Sequence, residues 1–172
     1  MPTTKASIEI RDERPDDLDA IRDVNRRAFG QEQEGAIVDA LRARGAALLS
    51  LVAVADDTVV GHILFSPLKV ESDVGAALGP MAVIPAYQRQ GIGSQLVSCG
   101  LARLRDAGCP FIVVIGHPDF YPRFGFRPAG AQGLSCDWNV PDNAFMVNPL
   151  NIEVTRRLRG RVEYPPEFST LE

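Results

Sequence analysis

Met81-Ala-Val-Ile-Pro-Ala-Tyr-Gln-Arg-Gln-Gly-Ile-Gly-Ser94 joins a strand, a loop and a helix start, and the rest of the chain is arranged around that unit. A short apolar run gives way at Pro85 to a polar loop, and two glycines open the loop onto a helix. Ile92, Leu96, Val97, Gly100, Leu101 and Leu104 fall on one face at the 3.6-residue period, and Gly108 and Pro110 supply the stop signal. The first-turn N–H groups of a helix have no internal partner and sit at the positive end of its dipole. A phosphate placed near Gly91 would therefore gain hydrogen bonds and favourable charge together. Glycine lets the backbone come close.

The glycine spacing separates this loop from others of similar outline. A dinucleotide fingerprint needs a third glycine where Leu96 stands, and a Walker loop needs Gly-Lys-Ser/Thr, which is absent. Gln88-x-x-Gly91-x-Gly93 resembles the Gln/Arg-x-x-Gly-x-Gly/Ala signature of the GNAT superfamily of acyl-CoA-dependent N-acetyltransferases. The resemblance implies that Gln88, Arg89, Gln90, Gly91, Ile92, Gly93 and Ser94 hold the pyrophosphate of acetyl-CoA. On the residues alone, the alternative is an ordinary strand–helix turn whose glycines serve packing.

Composition bounds the rest. A chain of 172 residues, 45% hydrophobic and 23% charged, suits one globular domain, taken here as residues 1–172. A net charge of −4 and a pI near 5.2 give no electrostatic reason to expect nucleic acid as the main partner. No apolar run approaches the ~20 residues that span a bilayer. The polar start Met1-Pro-Thr-Thr-Lys-Ala lacks a signal-peptide core, so the expected setting is cytoplasmic, with no membrane partner. Cys99, Cys109 and Cys136 are odd in number and lack Cys-x-x-Cys spacing, so no disulfide framework and no metal site are expected. Cys99 and Cys109 read as small buried hydrophobes.

Along the chain, residues 7–13 alternate as a half-buried strand, and Pro15 suits a first helical turn. Asp16, Asp17 and Asp19 favour that helix start, Leu18, Ile21, Val24, Asn25 and Ala28 make its buried stripe, and Gly30 ends it. A second helix is expected over 32–44, with Ile37, Val38, Ala40 and Leu41 inward. Residues 48–55 and 59–70 read as an antiparallel hairpin turning at Asp56-Asp57. A second turn over 71–75 leads to a fourth strand, 76–84, which feeds the glycine loop. After the helix of 92–107, Phe111-Ile-Val-Val-Ile115 is a continuous apolar run, the pattern of a strand covered on both faces. The crossover between the fourth and fifth strands makes them parallel. The expected fold is thus α/β: a mixed, mostly antiparallel sheet flanked by helices. The GNAT resemblance implies that the two parallel strands splay and that the cofactor's pantetheine arm lies in the gap. Met81, Ala82 and Val83 are then its backbone partners, with the Val83 N–H on the thioester oxygen.

A second cluster, Gly116-His-Pro-Asp-Phe-Tyr-Pro-Arg-Phe-Gly-Phe126, resembles the GNAT segment Phe-Tyr-x-x-x-Gly-Phe. That likeness places Tyr121 beside the thioester sulfur as the catalytic residue, where a phenol can protonate the departing thiolate. The alternative is a core aromatic with a hydrogen-bonded hydroxyl. Pro122 limits the helix here to about one turn, and His117-Pro118 departs from the family's direct passage from strand to helix. His117 and His62 can each be structural or face the acceptor, and Glu32 and Glu34 can be helix-start charges or border the acceptor site. These four are the candidate bases.

Past Arg127, residues 134–138 and 145–147 are expected as the last two sheet strands, with Trp138 a core aromatic or a cleft wall. Residues 151–159 suit a short helix or extension, and 161–168 an extended strap in which Pro165 and Pro166 bar a helix. The resemblance covers about residues 7–148, leaving 149–172 as a C-terminal extension. It implies transfer of an acetyl group from acetyl-CoA to a primary amine of a small molecule or peptide by direct attack, with a homodimer left open. The rival reading is an acyl-CoA-binding sensor or docking module without turnover.

Overall fold

The computed structural model describes residues 7–170; the polar start, residues 1–6, lies outside them, as do residues 171 and 172. The first strand, β1 (Ile8–Asp12), leads through a 3-10 turn beginning at Pro15 into α1 (Leu18–Phe29) and α2 (Gln33–Ala43). Then come β2 (Leu49–Ala55), β3 (Thr58–Val70), β4 (Asp73–Val83), α3 (Ile92–Asp106) and β5 (Phe111–Ile115). The remaining elements are β6 (Arg127–Pro128), β7 (Leu134–Ser135), β8 (Phe145–Pro149), α4 (Ile152–Arg157) and β9 (Gly160–Glu163). The sheet runs in the order β1-β2-β3-β4-β5-β8-β6, and each of its pairings is antiparallel except β4 with β5. This is the expected mixed α/β architecture.

The β2–β3 hairpin turns on Asp56 and Asp57 with φ of 48° and 65°, the paired left-handed geometry that matches strand twist and that Asp tolerates. The next turn is tighter than expected. It occupies Glu71, at φ 54°, and Ser72, so β4 begins at Asp73 rather than Ala76.

Helices cover both faces of the sheet. Val52 and Leu64 pack with Ile21, Ile37, Val38 and Leu41 from α1 and α2. Their neighbours Leu51, Ile63 and Phe65 turn the other way, onto Leu96, Val97, Leu101 and Leu104 of α3. Ala40, expected inward, is exposed, because Ile37, Val38 and Leu41 already fill the buried stripe and Ala40 lies at its edge. Gly100 lies on the buried face because a Cβ there would stand 2.4 Å from the ring of fully buried Phe65. Alanine gains about 1 kcal/mol in helix propensity, but forcing the ring aside costs about 1–3 kcal/mol. Gly100→Ala is therefore expected to lower the denaturant midpoint; a raised midpoint would show that the Phe65 ring yields freely.

β4 is interrupted on one edge and released on the other. Register with β3 passes from Phe65↔Leu78 to Ile63↔Met81, so Gly79 and Pro80 together oppose Leu64 in a bulge. Pro80 also has no N–H to give a ladder. On the other side, β4 pairs with β5 only at Ala76↔Ile112 and Ala77↔Val113, where the ladder ends.

The C-terminal part departs from expectation. Only Leu134–Ser135 of residues 134–138 is strand, and it pairs parallel with β9 rather than beside β8. β8 instead lies between β5 and β6. Asn151 caps α4 by accepting from the N–H groups of Glu153 and Val154 at 3.0 and 3.4 Å. β9 joins the end of β3 through Lys69↔Glu163 and Val70↔Val162. A short 3-10 helix, Pro166–Thr170, forms where the prolines were expected to bar one, since Pro166 occupies the first helical position, which needs no N–H.

Candidate active site

The loop ahead of α3 is held by its own backbone and side chains. Arg89 and Gly91 sit in the left-handed region at φ 64° and 84°, and Gly91 is the N-cap of α3. The N–H of Gln95 bonds back to the Gly91 carbonyl at 3.0 Å, so those of Ile92, Gly93 and Ser94 precede the first internal helical bond. The two glycines do different work. A Cβ on Gly91 would meet nothing within 4 Å, so the space in front of it is open; on Gly93 it would stand 3.3 Å from Met81 Cε, where helix and strand touch. Gln88 Nε2 donates to the Val83 carbonyl at 2.9 Å and ties the loop to the end of β4. Gln90 Nε2 donates to the Ala86 carbonyl at 3.3 Å.

A cavity of about 1160 Å³ opens where β4 and β5 part. It is lined by Met81, Ala82 and Val83, by Gln88 and Arg89, by residues 91–94, and by Tyr121, so all the expected site residues except Gln90 meet there. Val114, Ile115, Gly116 and His117 supply the facing wall from the end of β5.

Tyr121 starts a one-turn 3-10 helix, Tyr121–Phe124, capped by Gly125 at φ 95°. Its ring is 6% exposed and meets Phe120 and Phe126 edge-on at centroid distances of 5.0 and 5.6 Å. A Cβ on Gly116 would stand 2.4 Å from that ring, so the glycine makes its seat. No hydrogen bond joins the hydroxyl to another described residue, which removes the anchored hydroxyl of the core-aromatic alternative. Burial pushes its pKa up to about 12, so the phenol stays neutral at physiological pH.

The four candidate bases separate. Glu34 lines the cavity, 8% exposed; its Oε1 accepts from Gln31 Nε2 at 2.8 Å, and its buried Oε2 has no partner. His117 also lines the cavity and is exposed. Glu32 is the exposed N-cap of α2 and is not part of the lining. His62 is fully buried elsewhere: Nδ1 meets Asn25 Nδ2 at 3.3 Å, and Nε2 meets Ser50 Oγ at 3.0 Å. Ser50 donates to Glu13 at 2.7 Å, and Glu13 pairs with Arg42. Burial lowers the His62 pKa to about 4, so the imidazole is a neutral structural group rather than a base facing an acceptor.

Of the rest of the lining, Trp138 was expected as a core aromatic or a cleft wall, whereas Phe29 from α1, and Tyr164 and Phe168 from the tail, were not foreseen. Trp138 meets Tyr164 edge-on at 4.8 Å, and Tyr164 meets Phe168 at 5.3 Å. Trp138 is thus a cleft wall packed on a core. The spacing Tyr164-Pro-Pro-Glu-Phe168 was the available signal, but the tail lay outside the motif match. Among the described residues no group of three or more His, Cys, Asp or Glu could hold a metal, and no helix is long and apolar enough to cross a membrane.

Comparison with known proteins agrees with this geometry. The family model described as "Acetyltransferase (GNAT) family" matches residues 17–126. The Escherichia coli K12 protein named "Uncharacterized N-acetyltransferase YhbS" is 38% identical over 165 residues, which is 93% of this chain and 98% of that protein. The crystal structure of YhbS from Escherichia coli in complex with CoA has a TM-score of 0.93 at 34% identity, covering 100% of this chain and 97% of that one. A GNAT family acetyltransferase from Brucella melitensis, in complex with acetyl-CoA, has a TM-score of 0.81 at 37% identity, covering 96% of this chain and all of that one. With a family match over most of its length and relatives alike from end to end, this chain belongs to the GNAT acetyltransferase family.

Proposed function

We propose that the protein transfers an acetyl group from acetyl-CoA to a primary amine by direct attack. The observation that carries the reading is the cavity joining the N–H groups ahead of α3, the parted edge of β4 and the Tyr121 hydroxyl, which has no hydrogen bond to another described residue. Acetyl-CoA is the cosubstrate of this reading, in keeping with the CoA and acetyl-CoA complexes of the two related structures. The pyrophosphate sits on the N–H groups of residues 91–94 with the Arg89 side chain beside it. Gln88 holds the loop in place for them.

The arm's amides meet β4. The Ile84 N–H donates to the Val60 carbonyl at 3.0 Å, so strand alternation turns the backbone groups of Ala82 towards β3 as well. Met81 and Val83 then face the gap, which narrows the expected trio to two. The Val83 N–H polarises the thioester oxygen as the amine nitrogen attacks the carbonyl carbon. The C–S bond breaks, the sulfur takes the Tyr121 proton, and the amine sheds a proton to a base at the cavity wall or to water. Positioning in one cavity supplies much of the rate. A cytoplasmic setting belongs to the same reading.

Release of CoA thiol in the presence of an amine panel tests the proposal. Tight acetyl-CoA binding with no release by any amine would favour the sensor reading instead. Gly91→Val tests the loop separately. The valine carries about 1–3 kcal/mol of strain at φ 84°, and its side chain enters the open space in front of the loop. Acetyl-CoA affinity is expected to fall by about 1–3 kcal/mol, the scale of lost buried hydrogen bonds. Unchanged calorimetric affinity in a folded variant would remove the phosphate assignment.

A further inference from the structure

Resting on the transferase reading, we propose that the acceptor is a diamine, whose second, protonated amine is held by Glu34 and the aromatic end of the cavity. Glu34 is 8% exposed, and its Oε2 is buried without a partner while Gln31 occupies Oε1. A carboxylate oxygen accepts and never donates when ionised, so the group that completes it is a hydrogen-bond donor. Four rings, Phe29, Trp138, Tyr164 and Phe168, line the same cavity as Glu34, and Gln33 beside it donates to the tail at the Thr170 carbonyl, 3.5 Å away. Ring faces attract cations, and a carboxylate beside them selects an ammonium over a neutral donor.

The charges elsewhere on the lining fit this choice. The others lie at the cofactor side: Arg89 in the glycine loop, Asp119 just before Tyr121, and Arg123 in the turn of Tyr121, where its guanidinium is 5.0 Å from the Phe120 ring centroid. The aromatic end offers Glu34 and no Lys or Arg among the described residues. An acceptor bearing a carboxylate, such as a free amino acid, would meet an unpaired negative charge there. A diamine meets opposite charge at one end and presents its other nitrogen, neutral, to the thioester. In the transfer the N–C bond forms, the C–S bond breaks, sulfur gains one proton and the attacking nitrogen loses one. The remote ammonium keeps its charge throughout.

The test compares kcat/KM for straight-chain α,ω-diamines with that for monoamines of equal length, at fixed acetyl-CoA. The parent is expected to prefer the diamine by about 10-fold or more, the value of a hydrogen bond to a charged group. Glu34→Gln, nearly isosteric and still able to accept from Gln31, should erase that preference through a rise in the diamine's KM. Phe29→Leu, at a half-exposed position that tolerates change, should weaken the diamine alone by about 2- to 5-fold. Equal use of both amine classes by the parent overturns the proposal and leaves the transferase reading standing. So does an equal fall in kcat for both in Glu34→Gln, which would make Glu34 the base. Thiol release with neither class, despite acetyl-CoA binding, overturns this inference; the transferase reading falls only if no amine of the panel releases thiol.

Discussion

Tyr121→Phe is expected to lower kcat by about 10²- to 10⁴-fold, roughly 3–5 kcal/mol on the barrier, while acetyl-CoA affinity stays nearly constant. The substitution removes one oxygen and keeps the ring, and the ring is what its surroundings hold. Phe120, Phe126 and the space left by Gly116 fix the aromatic body, whereas no hydrogen bond to a described residue holds the hydroxyl. Stability should therefore change little, since no internal hydrogen bond is lost. With its pKa pushed up to about 12, the phenol is fully protonated at pH 7 and gives up its proton only as negative charge develops on sulfur. Steady-state kinetics and a thermal melt on the one variant decide the matter. Near-normal turnover would remove Tyr121 from the chemistry and leave it a packing residue.

Acid should destabilise the fold by about 3 kcal/mol through His62 alone, the free energy that separates a pKa of about 4 from the ordinary 6.5. Proton binding by the two states sets the sign. The unfolded chain protonates His62 near pH 6.5, and the folded chain resists until about pH 4, because full burial disfavours the imidazolium. The contribution is complete above about pH 6.5 and is lost as pH falls to about 4. The linked carboxylates act lower. Burial raises the Glu13 pKa, but hydrogen bonds from Arg42 and Ser50 outweigh it and hold the group below its ordinary value. Asp17 is held below its own by Arg11, which donates at 2.7 and 3.0 Å. The window from pH 6.5 to 4 therefore belongs chiefly to His62. Urea midpoints measured across it should fall steadily in the parent and flatten in His62→Gln, which keeps a polar side chain and cannot titrate. A parent whose midpoint held constant from pH 7 to 4.5 would falsify the assignment.

The first five strands and the glycine loop were legible because their signals are local. Periodicity over residues 92–104 fixes the buried face of α3, and paired aspartates at a two-residue turn fix the β2–β3 hairpin. Asp56 and Asp57 tolerate positive φ by their own chemistry. The bulge at Gly79-Pro80 was readable in principle, since Gly-Pro inside an apolar run interrupts a ladder, but its effect depends on the strand opposite. The parting of β4 and β5 was expected only through the family resemblance, because continuous apolar runs look the same whether their ladders continue or stop.

Residue order alone was enough for the strand–loop–helix of residues 81–106, the helix faces and the parallel β4–β5 crossover, while the family resemblance supplied the place of Tyr121. The first two rest on dihedral preference and burial pattern among near neighbours, and the third on the handedness of a strand–helix–strand crossover. Folding in three dimensions was needed to make His62 a buried structural imidazole, to leave the Tyr121 hydroxyl with no described protein hydrogen-bond partner, and to leave Glu34 with an unpaired oxygen. It also brings the tail back, with Arg44 donating to Glu167 at 3.0 Å, to put Tyr164 and Phe168 on the lining of the same cavity as Phe29. That last closure joins residues more than a hundred positions apart, and it is set by how the whole chain packs and not by any stretch of it.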